Sequence, residues 1–191
     1  MKTRDIDIRT SLHFMLNQEH NNEPDTLILD ELSVCQGDAR IDVAVVNGEI
    51  SGYEIKSESD TLVRLPLQTE YYNKVFDKVT ILSAAKYLED IKDIVPDWWG
   101  IIQAEKDDEG IIHFFTIRHP KKNNDIEAYA LAQLLWRDEA INILKERGLQ
   151  KGLLSKPRPV LWDALAKKIP ITELQEEIRI RLKARSNWKA H

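Results

Sequence analysis

Three residues have types and spacing that suit joint chemistry: Asp42, Glu54 and Lys56. They stand in residues 40–56, Arg-Ile-Asp-Val-Ala-Val-Val-Asn-Gly-Glu-Ile-Ser-Gly-Tyr-Glu-Ile-Lys. Asp42 is an acid among apolar neighbours, and Glu54 and Lys56 flank Ile55. Such groups are costly to bury without a partner. A divalent cation gripped by Asp42 and Glu54, with Lys56 beside it, resolves that cost.

The elements that must position these residues are two β-strands joined at Asn47-Gly48, a strong short-range hairpin signal. Side chains alternate along a strand, so Glu54 and Lys56 share a face. Asp42 is the difficulty. A two-residue type I′ turn at Asn47-Gly48 sets Val46 opposite Glu49, so that paired numbers sum to 95. Asp42 then lies opposite Tyr53 and shares its face, away from Glu54. A site shared by both acids requires an even sum, 94 or 96, from a three-residue loop, or a β-bulge between the two acids. One of these is therefore expected.

Around the hairpin, residues 7–19 read as a helix with an apolar stripe at Ile8, Leu12, Met15 and Leu16. Strands are expected at 26–34, 39–46 and 50–56. Pro66 suits the first position of a helix running to about Phe76, and Lys78 to Ser83 reads as a short strand. Gln68 and Tyr72, four apart, share a helix face. A short helix over 84–92, strands near 98–104 and 111–117, and a long helix from Asp125 to about Gly148 follow. A basic linker, 152–159, then leads into helices 160–168 and 171–185, split by Pro170. His13, His20, His113 and His119 are isolated, and surface or structural roles are expected for them.

The spacing Asp42-x11-Glu54-x-Lys56 resembles the signature of the PD-(D/E)XK nuclease superfamily. Gln68-x3-Tyr72 resembles the extra motif of its RecB-like branch. The run from Gly52 to Gln68 is similar to a family of small bacterial and phage-borne proteins in that superfamily. The resemblance covers roughly residues 5–83. It implies an α/β fold, a restriction-endonuclease-like αβββαβ core with a mixed sheet, carrying a C-terminal helical extension. The expected division is a nuclease-like core over 1–120 and a basic helical subdomain over 121–191. The implied activity is Mg2+- or Mn2+-dependent hydrolysis of DNA phosphodiesters, because a bound cation activates water and neutralises the phosphate. Mg2+ prefers oxygen ligands and keeps several waters. In this reading Asp42, Glu54 and the Ile55 carbonyl are ligands, and Lys56 positions the water or stabilises developing charge. Gln68 and Tyr72 orient the site or touch the phosphate, and Arg64 binds a phosphate as a fork. A further carboxylate ahead of the signature Asp often joins the metal in such proteins. Glu31 is the candidate here, with a solvated edge acid as the equal alternative. Two like charges held close repel, so loss of either carboxylate is expected to raise metal-free stability.

Composition sets the outer limits. An apolar fraction of 42% and a charged fraction of 31% fit a soluble globular chain of 191 residues. No run of eighteen apolar residues is present, so no spanning helix is expected. The Met-Lys-Thr-Arg-Asp start leads into acids rather than an apolar segment, and a cytoplasmic protein is expected. Cys35 is the single cysteine, which excludes an internal disulfide and a cysteine-rich zinc site. Net charge is −5, yet residues 145–191 hold twelve Lys/Arg against five Asp/Glu, while residues 1–144 hold fifteen against twenty-seven. A basic lobe beside an acidic one reads equally as a phosphate footprint or as exposed helix faces. DNA is the expected partner, with a homodimer open. Two other classes stand beside the nuclease: a catalytically silent nuclease fold, and a helix-turn-helix-like regulatory DNA-binding protein. Repair, phage recombination, restriction and toxin roles all fit the chemistry.

Overall fold

The computed structural model describes residues 2–185. The first helix, α1 (Asp5–Glu19), buries Ile8, Leu12 and Leu16, four residues apart on one face. Strands β1 (Leu27–Val34), β2 (Ala39–Val46) and β3 (Ile50–Lys56) then form an antiparallel meander. Helix α2 (Leu65–Asn73), with Pro66 in its first turn, carries the chain over to β4 (Lys78–Ser83), which runs parallel to β3. Helix α3 (Leu88–Ile94) leads to β5 (Gly100–Lys106), parallel to β4, and β6 (Ile112–Arg118) returns antiparallel. The result is one mixed six-stranded sheet whose spatial order follows the sequence. The fold is α/β, with α4 (Ala128–Ala132), α5 (Arg137–Glu146), α6 (Arg158–Lys168) and α7 (Ile171–Ala184) completing the described chain.

The long helix expected over 125–148 is two. Leu134 and Leu135 are both buried, and the Leu135 carbonyl accepts a bond from the Trp162 indole at 3.1 Å. The Trp136 N–H turns instead to the Glu139 carboxylate at 2.7 Å and opens a new helix. A tertiary bond from Trp162 and a local capping bond from Glu139 thus replace the intrahelical bonds that the apolar periodicity implied. Asp125 is not the helix cap either: Glu127 precedes α4, and its N–H bonds to the Lys74 carbonyl at 2.9 Å.

Two apolar layers enclose the sheet. On one face, Ile8, Leu12 and Leu16 of α1 pack with Val43, Val45, Ile55, Leu82 and Ala104. On the other, Ala44, Val46, Ile50, Val79 and Ile81 join a single cluster that runs through α2 and on to α7. The C-terminal helices therefore share the core of the sheet. Leu161, Trp162, Leu165, Leu174, Ile178 and Leu182 are all essentially buried. At about 1.5–3 kcal/mol for each large apolar side chain, their removal is comparable to the whole of the roughly 5–15 kcal/mol of a typical domain. Truncation after Gly148 is expected to abolish cooperative melting, as followed by circular dichroism.

Many of the C-terminal basic residues act as struts. Arg147 pairs with Glu173 and Glu177, Arg181 with Glu146, Arg185 with Glu139 and Lys183 with Asp25. Much of the positive charge counted along this segment is thereby spent within the fold. Lys189 lies outside the described residues. Cys35 is buried, and burial pushes its thiol up to about 11. No helix among the described residues is long and apolar enough to cross a membrane.

Candidate active site

The hairpin decides whether Asp42 and Glu54 can meet. Val46 lies opposite Ile50, Val45 opposite Ser51, Ala44 opposite Gly52 and Val43 opposite Tyr53. Paired numbers sum to 96, so the loop is the three residues 47–49 and the even register is met. Gly48 does not adopt the left-handed backbone that a type I′ turn demands. The Asn47 carboxamide accepts the Glu49 N–H at 3.1 Å instead. Distant contacts hold this register. The Ile50 N–H donates to Asp77 Oδ2 at 2.8 Å, the Asp77 N–H donates to the Ile50 carbonyl at 2.9 Å, and Lys78 Nζ reaches Glu49 at 2.6 Å. Gly52 lies so close to Ile41 and Phe76 that a Cβ would meet both at 3.2 Å, which brings the end of α2 down over β3.

Past Val43 and Tyr53 the two strands part. There the Asp42 carboxylate substitutes for the ladder: Oδ2 accepts the Ile55 N–H at 2.7 Å. Across β1 and β2 the same level is irregular. Asp30 pairs with Val43 and Leu32 with Ile41, and Glu31 between them has φ 58°. Leu29 and Leu32 both enter the main core, as do Ala44 and Ile41, although odd spacing on a regular strand would send them to opposite faces. The kink in both strands frees Asp42 from the regular pleat. A left-handed non-glycine residue is a local cost, and it stands beside the candidate site.

Glu54 and Lys56 are buried, at 2% and 4% exposure, and bonded to each other at 2.5 Å. Glu54 Oε1 also accepts Gln68 Nε2 at 2.7 Å, and Oε2 accepts the Tyr72 hydroxyl at 2.8 Å. Lys56 Nζ donates to Gln68 Oε1 at 3.0 Å. The sequence-derived group of Glu54, Lys56, Gln68 and Tyr72 is therefore one connected network. Tyr72 is held by rings: Trp99 stacks on it at 6.1 Å and Phe76 meets it edge-on at 5.6 Å. Burial first, then the charge of Glu54, holds its phenol well above the usual range, so it stays a donor.

Arg9 was not legible as a site residue. Its guanidinium reaches round from α1 to Asp42, donating to Oδ1 at 2.9 Å and to the main-chain carbonyl at 2.7 Å. Asp5 anchors it at 3.0 Å. The one available signal was its place beside the buried stripe residue Ile8, facing an acid-rich sheet end. Glu31 is half exposed, pairs with Arg40 at 2.9 Å and lies 4.0 Å from Arg9, the guanidinium that also holds Asp42. Arg64 is exposed at the start of α2 and, with Asp42, Gln68, Arg40 and Leu67, lines a cleft of about 370 Å3. His20 and His113 each sit against a carboxylate at 2.7 Å, whereas His13 meets Asp30 at 2.7 Å, and that acid lies 3.6 Å from Arg9.

Burial first, and then Glu54, pushes the Asp42 carboxyl up to about 7, against the opposing pull of the Ile55 amide and Arg9. A raised carboxyl favours the fold while protonated. Its contribution is complete below 3.8 and is lost as pH rises to about 7. In EDTA, wild-type melting temperature is expected to fall across that window more steeply than that of Asp42→Asn. Parallel curves would contradict the buried acid pair.

Among the described residues no group of three or more His, Cys, Asp or Glu side chains is placed to hold a metal. The donor set nevertheless suits a hard cation. Asp42 and Glu54 offer carboxylate oxygens, and each Asp42 oxygen and Glu54 Oε2 carries one protein donor, leaving lone pairs over. Mg2+ is commonly held by one or two carboxylates with water and substrate oxygens completing its shell. These are the donor types that Mg2+ or Mn2+ takes.

The profile of the family described as bacteriophage P4 protein cII matches residues 4–190. A curated relative, protein cII of Enterobacteria phage P4, is 24% identical over 161 residues, covering 84% of this chain. The chain spans 60% of the length of that relative. Among solved structures, a protein of unknown function from Silicibacter pomeroyi aligns with TM-score 0.41 and 17% identity, over 72% of this chain and 90% of that one.

Proposed function

The chain belongs to the bacteriophage P4 protein cII family, a membership that names no activity, and from the site itself we propose a metal-dependent nuclease of the PD-(D/E)XK type acting on DNA. The observation that carries this reading is the even hairpin register together with a cleft that Asp42 shares with Gln68, a member of the Glu54–Lys56–Gln68–Tyr72 network. The element order helix, three strands, helix, strand supports it. Asp42 and Glu54 are the residues that would hold Mg2+ or Mn2+, with the Ile55 carbonyl adjacent. Such a cation, when bound, supplies charge neutralisation and a more acidic water. Gln68 keeps Lys56 and Glu54 in fixed relation, so the ammonium is presented as a positioned donor to charge developing on phosphate. Tyr72 fixes the second Glu54 oxygen. Arg64 offers a fork for a neighbouring phosphate.

The test is incubation of the pure protein with linear, nicked and single-stranded DNA and with RNA, in Mg2+, Mn2+ or EDTA. Cleavage that requires the metal and is lost in Glu54→Gln is the expected result. Absence of cleavage on every form in both metals would overturn the proposal.

One observation favours a second reading. Glu54 already accepts three protein donors, and both Asp42 oxygens are engaged. A polar network satisfied this fully also suits a catalytically silent fold that binds DNA. That reading expects salt-sensitive DNA binding, unchanged by EDTA, without cleavage.

A further inference from the structure

The cleft lined by Asp42 and Gln68 carries an arginine on each wall, Arg40 from β2 and Arg64 from the start of α2. Building on the nuclease reading above, we infer that this cleft receives one unpaired nucleotide of a DNA strand, gripped between Arg40 and Arg64. The substrate is then single-stranded or locally unpaired DNA.

Size is the first argument. About 370 Å3 lies near the lower end of the roughly 300–1,000 Å3 of small-ligand pockets. That is room for a nucleotide. A base that is still paired and stacked is not free to enter it.

The placing of Arg40 is the second. Its carbonyl oxygen lies 2.7 Å from the Tyr72 hydroxyl, whose one proton is shared between that oxygen and Glu54 Oε2 at 2.8 Å. The backbone of Arg40 and the central acid of the site thus share one fixed point. The Arg40 side chain is 60% exposed and its partner Glu31 is 47% exposed. An exposed pair of this kind contributes about 0–1 kcal/mol. A phosphate, which an arginine binds bidentately, can take it over.

Leu67 is the third. It follows Arg64 by three residues, lines the cleft and is 53% exposed, and Val63 beside Arg64 is 84% exposed. The apolar surface of Leu67, in a cleft that also carries Arg40, Arg64 and the acid Asp38, matches the sugar and base face of an unstacked nucleotide. In paired DNA that surface is inside the stack.

Three DNA forms of one sequence test the inference in Mn2+: a single strand, a relaxed covalently closed circular duplex, and the same closed duplex with an internal unpaired bubble. The single strand and the bubble are expected to be cut at least about tenfold faster than the closed duplex. Equal rates on all three overturn the inference and leave the nuclease reading standing. No cutting of any form overturns that underlying reading instead. The grip is read separately, by binding to a single-stranded oligonucleotide in EDTA. Arg40→Ala and Arg64→Ala, checked for unchanged melting, are each expected to weaken binding about tenfold and to flatten the slope of log K against log salt by about 0.7. Arg40→Lys is expected to keep the slope. Unchanged affinity and slope in Arg40→Ala would remove Arg40 from the site.

Discussion

Asp42→Asn is expected to lower metal-dependent DNA cleavage by about a thousandfold while raising the stability of the metal-free protein at pH 8. The catalytic loss follows from removal of one of two candidate ligands. A bound cation is worth several kcal/mol of transition-state charge stabilisation, and about 1.4 kcal/mol is tenfold in rate. The stability gain follows from the burial that pushes the Asp42 carboxyl up to about 7. At pH 8 the fold carries a carboxylate that it would rather hold neutral. Asparagine keeps an acceptor for the Ile55 N–H, and Arg9 keeps Asp5. Loss of the Arg9–Asp42 bond offsets part of the gain, leaving about 1 kcal/mol, or roughly 2–4 °C in a chain of this size. Saturating Mn2+ should reverse the order, since a ligand at a hundred times its Kd stabilises the wild type by about 2.7 kcal/mol. Cleavage at the wild-type rate in Asp42→Asn would end the assignment. Melting of the variant below wild type in EDTA would show that the Arg9 bond outweighs burial of the charge.

Glu54→Ala should behave in the opposite way, with the largest stability effect of any single change at the site. The bonding of Glu54 confines the expected gain from relieved repulsion to Asp42. Glu54 is the counter-charge of Lys56, which is 4% exposed, and it accepts Gln68 and Tyr72 besides. Breaking a buried pair by deleting one partner costs roughly 3–5 kcal/mol, because the other charge stays in the interior. For a domain of this size that is a fall in melting temperature of about 6–20 °C. The double variant Glu54→Ala/Lys56→Met should recover most of it, since a pair replaced by apolar groups is often close to neutral. A single variant that melts within about 2 °C of wild type would contradict the buried pair, and a double variant no better than the single would assign the loss to Gln68 and Tyr72 instead.

The difference between these two acids separates what the sequence by itself determined from what only the tertiary structure decided. Elements set by local pattern were legible. The apolar residues of α1 recur at helical spacing, Pro66 starts α2 where its missing N–H costs nothing, and the meander strands alternate with turn residues between them. The Glu54–Lys56 and Gln68–Tyr72 pairs were legible for the same reason, since each lies on one regular element and its period fixes its face. Asp42 was not, because its face depends on a register. The local Asn47-Gly48 signal favours the odd register, and the even one is held by Asp77 and Phe76, which are distant in sequence. The kink at Glu31, the break between α4 and α5 around Leu135, and the reach of Arg9 to Asp42 belong to the same class. Each exchanges a local preference for a contact made across the fold. Period and propensity describe a chain segment against water, whereas these positions answer to a hydrogen-bond partner or a packed ring that folding alone brings near.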